Sequence, residues 1–391
     1  MRRYIVFAVL LLYCLVFSHA QTPASPRSAK LATDVLIFSN GDQLTGKLER
    51  VEAGKVIFSS EMTGELTIPI DKVKELRSGA EFALLRKGEP VGKAQADVGS
   101  VDLAHGNLTF TPPGNAPATV PAGEVAYLVD KAMFDKEVRR KAGFLDGWNG
   151  TITGGANIER STTSGTTLNV GLALARTIPI VPWMPARNRT SVNVMESYGK
   201  LSMAVIPPTS PSAPATVVVS SIFHADVERD QYFRPRLFVL ADTAFDHNYG
   251  QGLQFQQIYG GGIGLTALKS DKQELDLKVD VHFERQQYIS TPANGSATTM
   301  TSPVNIIGST LFEEYHRDLP GKMVFTETAN ILPAWNNFES YSANVTAALS
   351  LPLFKRLSAT VTTTDNYLND PAKYYQKNSY QFITGVTYLL R

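Results

Sequence analysis

From Lys272 to Gln286 the chain changes character at every residue. Glu274, Asp276, Lys278, Asp280, His282 and Glu284 share one parity, while Leu275, Leu277, Val279, Val281 and Phe283 share the other. Side chains in a strand alternate between the two faces of a sheet, so the stretch reads as one long strand with a charged face and an apolar face. The same rule sets Tyr341, Ala343, Val345, Ala347 and Leu349 against Ser340, Ser342, Asn344, Thr346 and Ala348. Near the end, Tyr380, Phe382, Thr384, Val386, Tyr388 and Leu390 form a further stripe.

Twelve such segments can be counted, near 147–160, 165–177, 189–204, 216–229, 234–247, 254–268, 272–289, 304–317, 321–332, 338–350, 356–367 and 378–390. Most exceed the roughly five or six residues usual in soluble strands, and about ten suffice to cross a bilayer as a tilted strand. Tight connections follow the sixth, eighth and tenth segments, whereas longer ones follow the third, seventh and eleventh, notably Pro207–Pro211 and Ser290–Pro303. Short turns at one end and long loops at the other match an outer-membrane barrel with periplasmic termini. The connections at Ile178–Asn188 and near Trp335 depart from that rule.

Alternation alone leaves a soluble sandwich, with its apolar stripe inside, as the competing reading. Three features favour the membrane. The segments are consecutive hairpins, and lipid tolerates strands only in closed barrels. All three Trp and most of the 15 Tyr follow residue 143, many near segment ends where an aromatic girdle sits. Finally, Gly385, Tyr388 and Leu390 fit the spacing of a barrel-insertion signal, with Ile383 and the closing Arg391 as departures. A mean hydropathy of −0.09 and a single long apolar run exclude a helical membrane bundle. The expected fold is all-β, an up-and-down transmembrane barrel of about twelve antiparallel strands over 147–391.

The apolar run lies at the start. Met1-Arg2-Arg3, the stretch Tyr4–Phe17 and Ser18-His19-Ala20 have the three parts of a signal peptide over 1–20, with cleavage after Ala20. Cys14, the sole cysteine, would leave with it, taking thiol chemistry and disulfides away from the mature chain. Residues 21–33 read as a flexible leader. Short strands with glycine turns then suggest two small Sm/SH3-like lobes, 34–80 and 81–130. Their repeat is read from Phe82–Gly88 beside Leu36–Gly41, Gly92-Lys93 beside Gly46-Lys47, and Val120–Val125 beside Ile68–Val73. A linker, 131–146, holds a short helix candidate at Lys131–Gly143 and the basic run Arg139-Arg140-Lys141.

No segment carries a motif of established chemistry. Gly260–Gly264 lacks the strand-to-helix setting of a dinucleotide site and reads as strand glycines relieving crowding. His282 between Asp280 and Glu284 reads as part of a hydrated charge ladder rather than an acid–base or metal cluster. No serine has a local nucleophile signature. Catalytic, cofactor-binding and metal residues are therefore expected to be none, and no cofactor is expected. Glu159-Arg160, Glu228-Arg229 and Glu284-Arg285 can each send only one side chain inward. With 19 basic and 20 acidic residues from Gly143 onward, net charge offers no basis for ion preference.

Gly147-Trp148-Asn149-Gly150 with Gly154-Gly155 resembles the first strand of the salt-induced outer-membrane protein family, long described as a domain of unknown function. Arg236, Phe245-Asp246, Gly250, Ile258–Gly264 and Glu284-Arg285 follow its middle pattern, and Asp365–Asn369 before Lys377-Asn378-Ser379 its C-terminal part. Asn40–Lys47 resembles the periplasmic module found ahead of such barrels. The resemblance implies a Gram-negative outer-membrane protein with its N-terminal domain in the periplasm and a link to osmotic stress. It supplies no activity.

The leading functional expectation is a narrow, non-enzymatic, porin-like channel for small hydrophilic solutes or ions, lined by Glu274, Asp276, Lys278, Asp280, His282 and Glu284. A closed barrel anchoring lobes that bind peptidoglycan or an envelope partner is the alternative, and a rim-located hydrolase a remote one. Expected partners are outer-membrane lipid and the barrel assembly machinery; the charge balance argues against nucleic acid.

Overall fold

A computed structural model describes residues 33–87, 96–139, 143–160, 163–181, 183–203, 216–290, 299–372 and 376–390. The stretches expected to be a signal peptide and, nearly whole, a leader, together with Gly92-Lys93 and Arg140-Lys141, lie outside them. The chain divides into two compact units, one of residues up to Leu84 with Val98–Asp130, the other of Leu85–Asp97 with Lys131–Arg391.

The N-terminal sheet comprises β1 (Asp34–Phe38), β2 (Gln43–Glu52), β3 (Lys55–Ser60), β4 (Gly64–Pro69), β5 (Val73–Arg86), β6 (Asp97–Ala104), β7 (Asn107–Thr111), β8 (Ala118–Pro121) and β9 (Val125–Asp130). Its order is β4-β3-β2-β1-β5-β6-β7-β8, and β9 pairs with both β2 and β5 to bend the sheet back on itself. The expected internal repeat has a physical form. Ala53-Gly54 and His105-Gly106, 52 residues apart, both turn with positive φ, as tight hairpins require. Pro69 (φ −57°, ψ 134°) and Pro121 (φ −56°, ψ 133°) each start a 3-10 turn into the next strand. Gly46 lies against Phe58 and the Ser59 carbonyl, and Gly99 against Phe110 and the Thr111 carbonyl, with no space for a Cβ at either. Gly99 thus stands where Gly46 does, in place of the Gly92 read from sequence.

The stretches 34–80 and 81–130 share one sheet, because β5 runs through their boundary. They also share one core, in which Leu36, Leu48 and Phe58 pack in the same cluster as Val101, Leu103 and Phe110. A half of some 50 residues buries too little apolar surface to stand alone, and joining the halves increases that fraction. In the linker, Lys131–Phe134 is a single α-helical turn continued by a π-turn at Asp135–Arg139, where Arg139 and Asp135 pair at 3.2 Å.

The second sheet holds β10 (Trp148–Arg160), β11 (Thr163–Ile178), β12 (Asn188–Met203), β13 (Thr216–Arg234), β14 (Leu237–Asn248), β15 (Leu253–Ser270), β16 (Gln273–Ser290), β17 (Thr299–Met300), β18 (Val304–Leu319), β19 (Met323–Leu332), β20 (Ser342–Pro352), β21 (Leu357–Leu368) and β22 (Asn378–Leu389). β17 is a two-residue pairing on the end of β16. The other twelve strands pair antiparallel with their chain neighbours, and β22 returns to pair with β10. The result is a closed up-and-down barrel. Gly385 faces Gly155 across the closing seam, Tyr388 pairs with Ile152, and the Leu390 amide donates to the Gly150 carbonyl at 2.9 Å.

Candidate functional site

Burial settles which parity faces inward. On β16, Asp276, Asp280, His282 and Glu284 are buried, whereas Leu277, Val279, Val281 and Phe283 are exposed. Apolar residues pointing out and polar ones pointing in invert the pattern of a soluble sandwich. Aromatic rings also gather on the outside near the strand ends, as in the Phe245–Phe255, Phe245–Tyr259 and Tyr341–Tyr367 contacts at 6.4, 6.4 and 5.8 Å.

The inner face has two unlike walls. Strands β19 to β22, with β10 and β11, present mostly threonine, serine, asparagine and glycine inward, interspersed with apolar residues such as Ala173, Val324 and Ile383, and no ionisable side chain among the inner ones described. Hydroxyls there bridge strand to strand: Ser350 to Thr360 at 3.1 Å, Thr360 to Thr387 at 2.7 Å, and Thr387 to Thr153 at 2.9 Å. The opposite wall is acidic. Asp226, Glu228 and Asp230 come from β13, Asp242 and Asp246 from β14, Glu274, Asp276, Asp280 and Glu284 from β16, and Glu314 from β18. Away from the turn ends, Arg189 and Lys278 are the lysine and arginine side chains of the described inner face. Lys269, at a turn end, pairs with Glu274.

These two cations tie the acidic wall together. Arg189 on β12 meets Asp230 at 2.8 Å, Asp276 at 2.7 Å and Glu274 at 3.8 Å, and its guanidinium lies over the buried Phe238 ring at 5.6 Å. Lys278 on β16 meets Glu228 at 2.6 Å and Glu314 at 3.3 Å. His224 lies between Asp246 at 2.5 Å and Asp226 at 2.9 Å. His282 contacts Asp280 and Thr310, both at 3.1 Å, with Glu284 at 3.9 Å. Such reach across several strands needs floor space, which β15 supplies. Its Gly260, Gly262 and Gly264 pair with His282, Asp280 and Lys278. A Cβ at Gly264 would strike the Phe238 ring, and one at Gly262 the Val279 backbone.

At the end where β14 stops and β15 begins, a short connection crosses the mouth. The Gln251 side chain, 3% exposed, donates to the carbonyls of Asn366 at 3.0 Å and Lys377 at 2.6 Å. Ala372 donates its amide to the Gln251 carbonyl at 3.3 Å. These partners belong to the β21–β22 side, six strands round a twelve-stranded ring and so on the far wall.

The family model described as a protein of unknown function, DUF481, matches residues 152–389. The chain belongs to the DUF481 family. Its match spans β10 to β22, so the two walls and the Gln251 bridge all lie in the DUF481 part. No curated protein matches the chain. Among solved structures the DUF481 barrel is similar to the NanC porin, at 6% identity over 61% of this chain and 98% of that one, with a TM-score of 0.35. It is also similar to an outer membrane channel from Pseudomonas putida F1, at 7% identity over 62% and 93%, with a TM-score of 0.32. The transport unit of the autotransporter AIDA-I from Escherichia coli matches at 12% identity over 66% and 96%, with a TM-score of 0.30.

All six residues expected to line the interior, Glu274, Asp276, Lys278, Asp280, His282 and Glu284, sit on the inner face of β16. Of the acid–base pairs, Glu228 points inward to Lys278 while Arg229 points outward to Thr190. Glu284 is likewise buried and Arg285 exposed, while the Glu159 and Arg160 side chains lie outside those described. Arg189, Asp242 and Gln251 are not singled out in the sequence, and Glu228 and Asp246 stand out there only within an acid–base pair and the family pattern. Their strands alternate less cleanly than β16, and their partners lie far away in the chain.

Proposed function

We propose that this DUF481 barrel lies in the outer membrane, with the N-terminal sheet in the periplasm, and forms a narrow passage for small hydrophilic solutes that favours cations. The observation that carries the reading is the inner face: ten carboxylates against Arg189, Lys278 and the turn-end Lys269, opposite a neutral, hydroxyl-rich wall. Rings of carboxylate raise the local concentration of cations and exclude anions. The exposed apolar set on β16 supports lipid outside, since a transmembrane barrel alternates apolar-out and polar-in. The hydroxyl wall offers a moving solute replacement hydrogen bonds without a fixed charge to trap it.

Conductance of the refolded full chain in a planar bilayer tests this, after a heat-modifiable gel band shows a folded barrel. Reproducible steps that grow with salt concentration are expected. The Gln251 bridge favours a second reading, a closed barrel anchoring the N-terminal sheet against peptidoglycan or an envelope partner. A folded barrel that stays silent with and without Gln251 selects it. The resemblance read in the sequence adds an osmotic setting, which protein abundance unchanged by external salt would remove.

A further inference from the structure

The outward faces of β12, β13 and β14 carry Lys200, Arg229 and Gln231 toward the strand ends, and between them one ionisable cluster interrupts mainly apolar residues. On β13 the outward series runs Val217, Val219, Ser221, Phe223, Ala225 and Val227 before the polar end at Arg229 and Gln231. Ser221 lies between two bases from the flanking strands: its Oγ is 2.8 Å from Glu196 Oε1 and 2.7 Å from His247 Nε2. Glu196 shares its face with Tyr198 and Val194, and His247 stacks between Phe223 at 5.6 Å and Tyr249 at 4.7 Å. The cluster therefore lies in the aromatic collar, at the end of the barrel that holds Gln251. A carboxylate turned toward lipid is costly, and ionisable groups kept there mark function.

We propose that Ser221, Glu196 and His247 form an acyl-transfer site on the outer wall, acting on carboxylic esters of membrane-resident acyl chains. The proposal goes beyond the passage reading and uses only its placement of this face in lipid. Glu196 contacts the hydroxyl itself rather than the far side of the imidazole, so the serine is flanked by two groups instead of heading a relay. As an ionised carboxylate only accepts, Oγ–H donates to Glu196 and His247 Nε2–H donates to Oγ. Glu196 takes the serine proton as Oγ bonds to the ester carbonyl carbon. The C–O bond to the alcohol then breaks, and the alcohol leaves with that proton. Water, deprotonated by Glu196, attacks the acyl-serine; the acid is released and Oγ regains its proton. His247 Nε2–H holds Oγ in line throughout. The ester is the shared chemistry of two sources, glycerophospholipid and acylated glycolipid.

The test uses the refolded full chain, with folding read by heat-modifiability. A fluorophosphonate probe should phosphonylate Ser221, seen by peptide mass spectrometry. Fatty-acid release is measured from vesicles of phosphatidylethanolamine alone and from vesicles that also carry lipopolysaccharide. Ser221→Ala should abolish both signals, and Glu196→Gln should slow release about 10²-fold or more. Release from the first vesicles assigns glycerophospholipid, and release from the second alone assigns acylated glycolipid. No adduct on Ser221 of the folded wild type, or undiminished release by Ser221→Ala, overturns the proposal. Conductance of the same preparation reports separately on the passage.

Discussion

Arg189 on β12 and Asp276 on β16 meet at 2.7 Å across the three strands that separate them. The contact closes over Phe238 on β14 and Gly264 on β15, so one side of the interior is bridged rather than open. Asp230, 1% exposed, completes the group from β13. A buried ion pair adds little over an apolar substitute, but removing one partner strands the others. Arg189→Ala should therefore destabilise the barrel by about 3–5 kcal/mol, read as a lower urea midpoint in refolding experiments. Arg189→Lys should recover only part of this, because an ammonium cannot fork between Asp230 and Asp276. A midpoint unchanged in Arg189→Ala would show that these carboxylates do not depend on it.

Gly264 gives a steric counterpart. Its missing side chain is occupied by the Phe238 ring, so Gly264→Leu should fail to give a heat-modifiable band. Pairing it with Phe238→Ala should restore folding in part, because the larger residue then has space. Failure of the pair to improve on the single change would place the obstruction elsewhere.

The Gln251 bridge makes a kinetic prediction. Its side-chain amide holds two carbonyls on the far wall, at 3.0 and 2.6 Å. Gln251→Ala should raise single-channel conductance or lengthen open times, with little effect on folding. Identical traces would show that the bridge does not limit flow.

In the N-terminal sheet, Phe58 and Phe110 are equivalent anchors of one core. Phe58→Ala and Phe110→Ala should each cost about 3–5 kcal/mol. Because the halves share that core, each should lower a single unfolding transition. Two transitions, only one of them shifted, would instead make the halves independent.

Much of the architecture is legible in the sequence because period-2 alternation is local. Twelve segments and their hairpins follow from parity and turn residues, and the six inward residues of β16 from one unbroken run. Arg189 with Asp276, Gln251 with Lys377, and Ser221 with His247 are not legible in that way. Each depends on curvature or closure, which bring together residues 87, 126 and 26 positions apart. The near-equal totals of acidic and basic residues also hide their sorting, since arginine and lysine gather at turns and outside while many carboxylates collect within. Charge counted along the chain misses what pairing separates into faces.

An interior sorted in this way should pass cations, which the reversal potential of the refolded full chain in a bilayer under a potassium chloride gradient reads out. The expectation is a potential of cation-selective sign, reduced in Asp242→Asn with Asp280→Asn, whose carboxylates face the interior. A potential of anion-selective sign, or one unmoved by the double substitution, would contradict it.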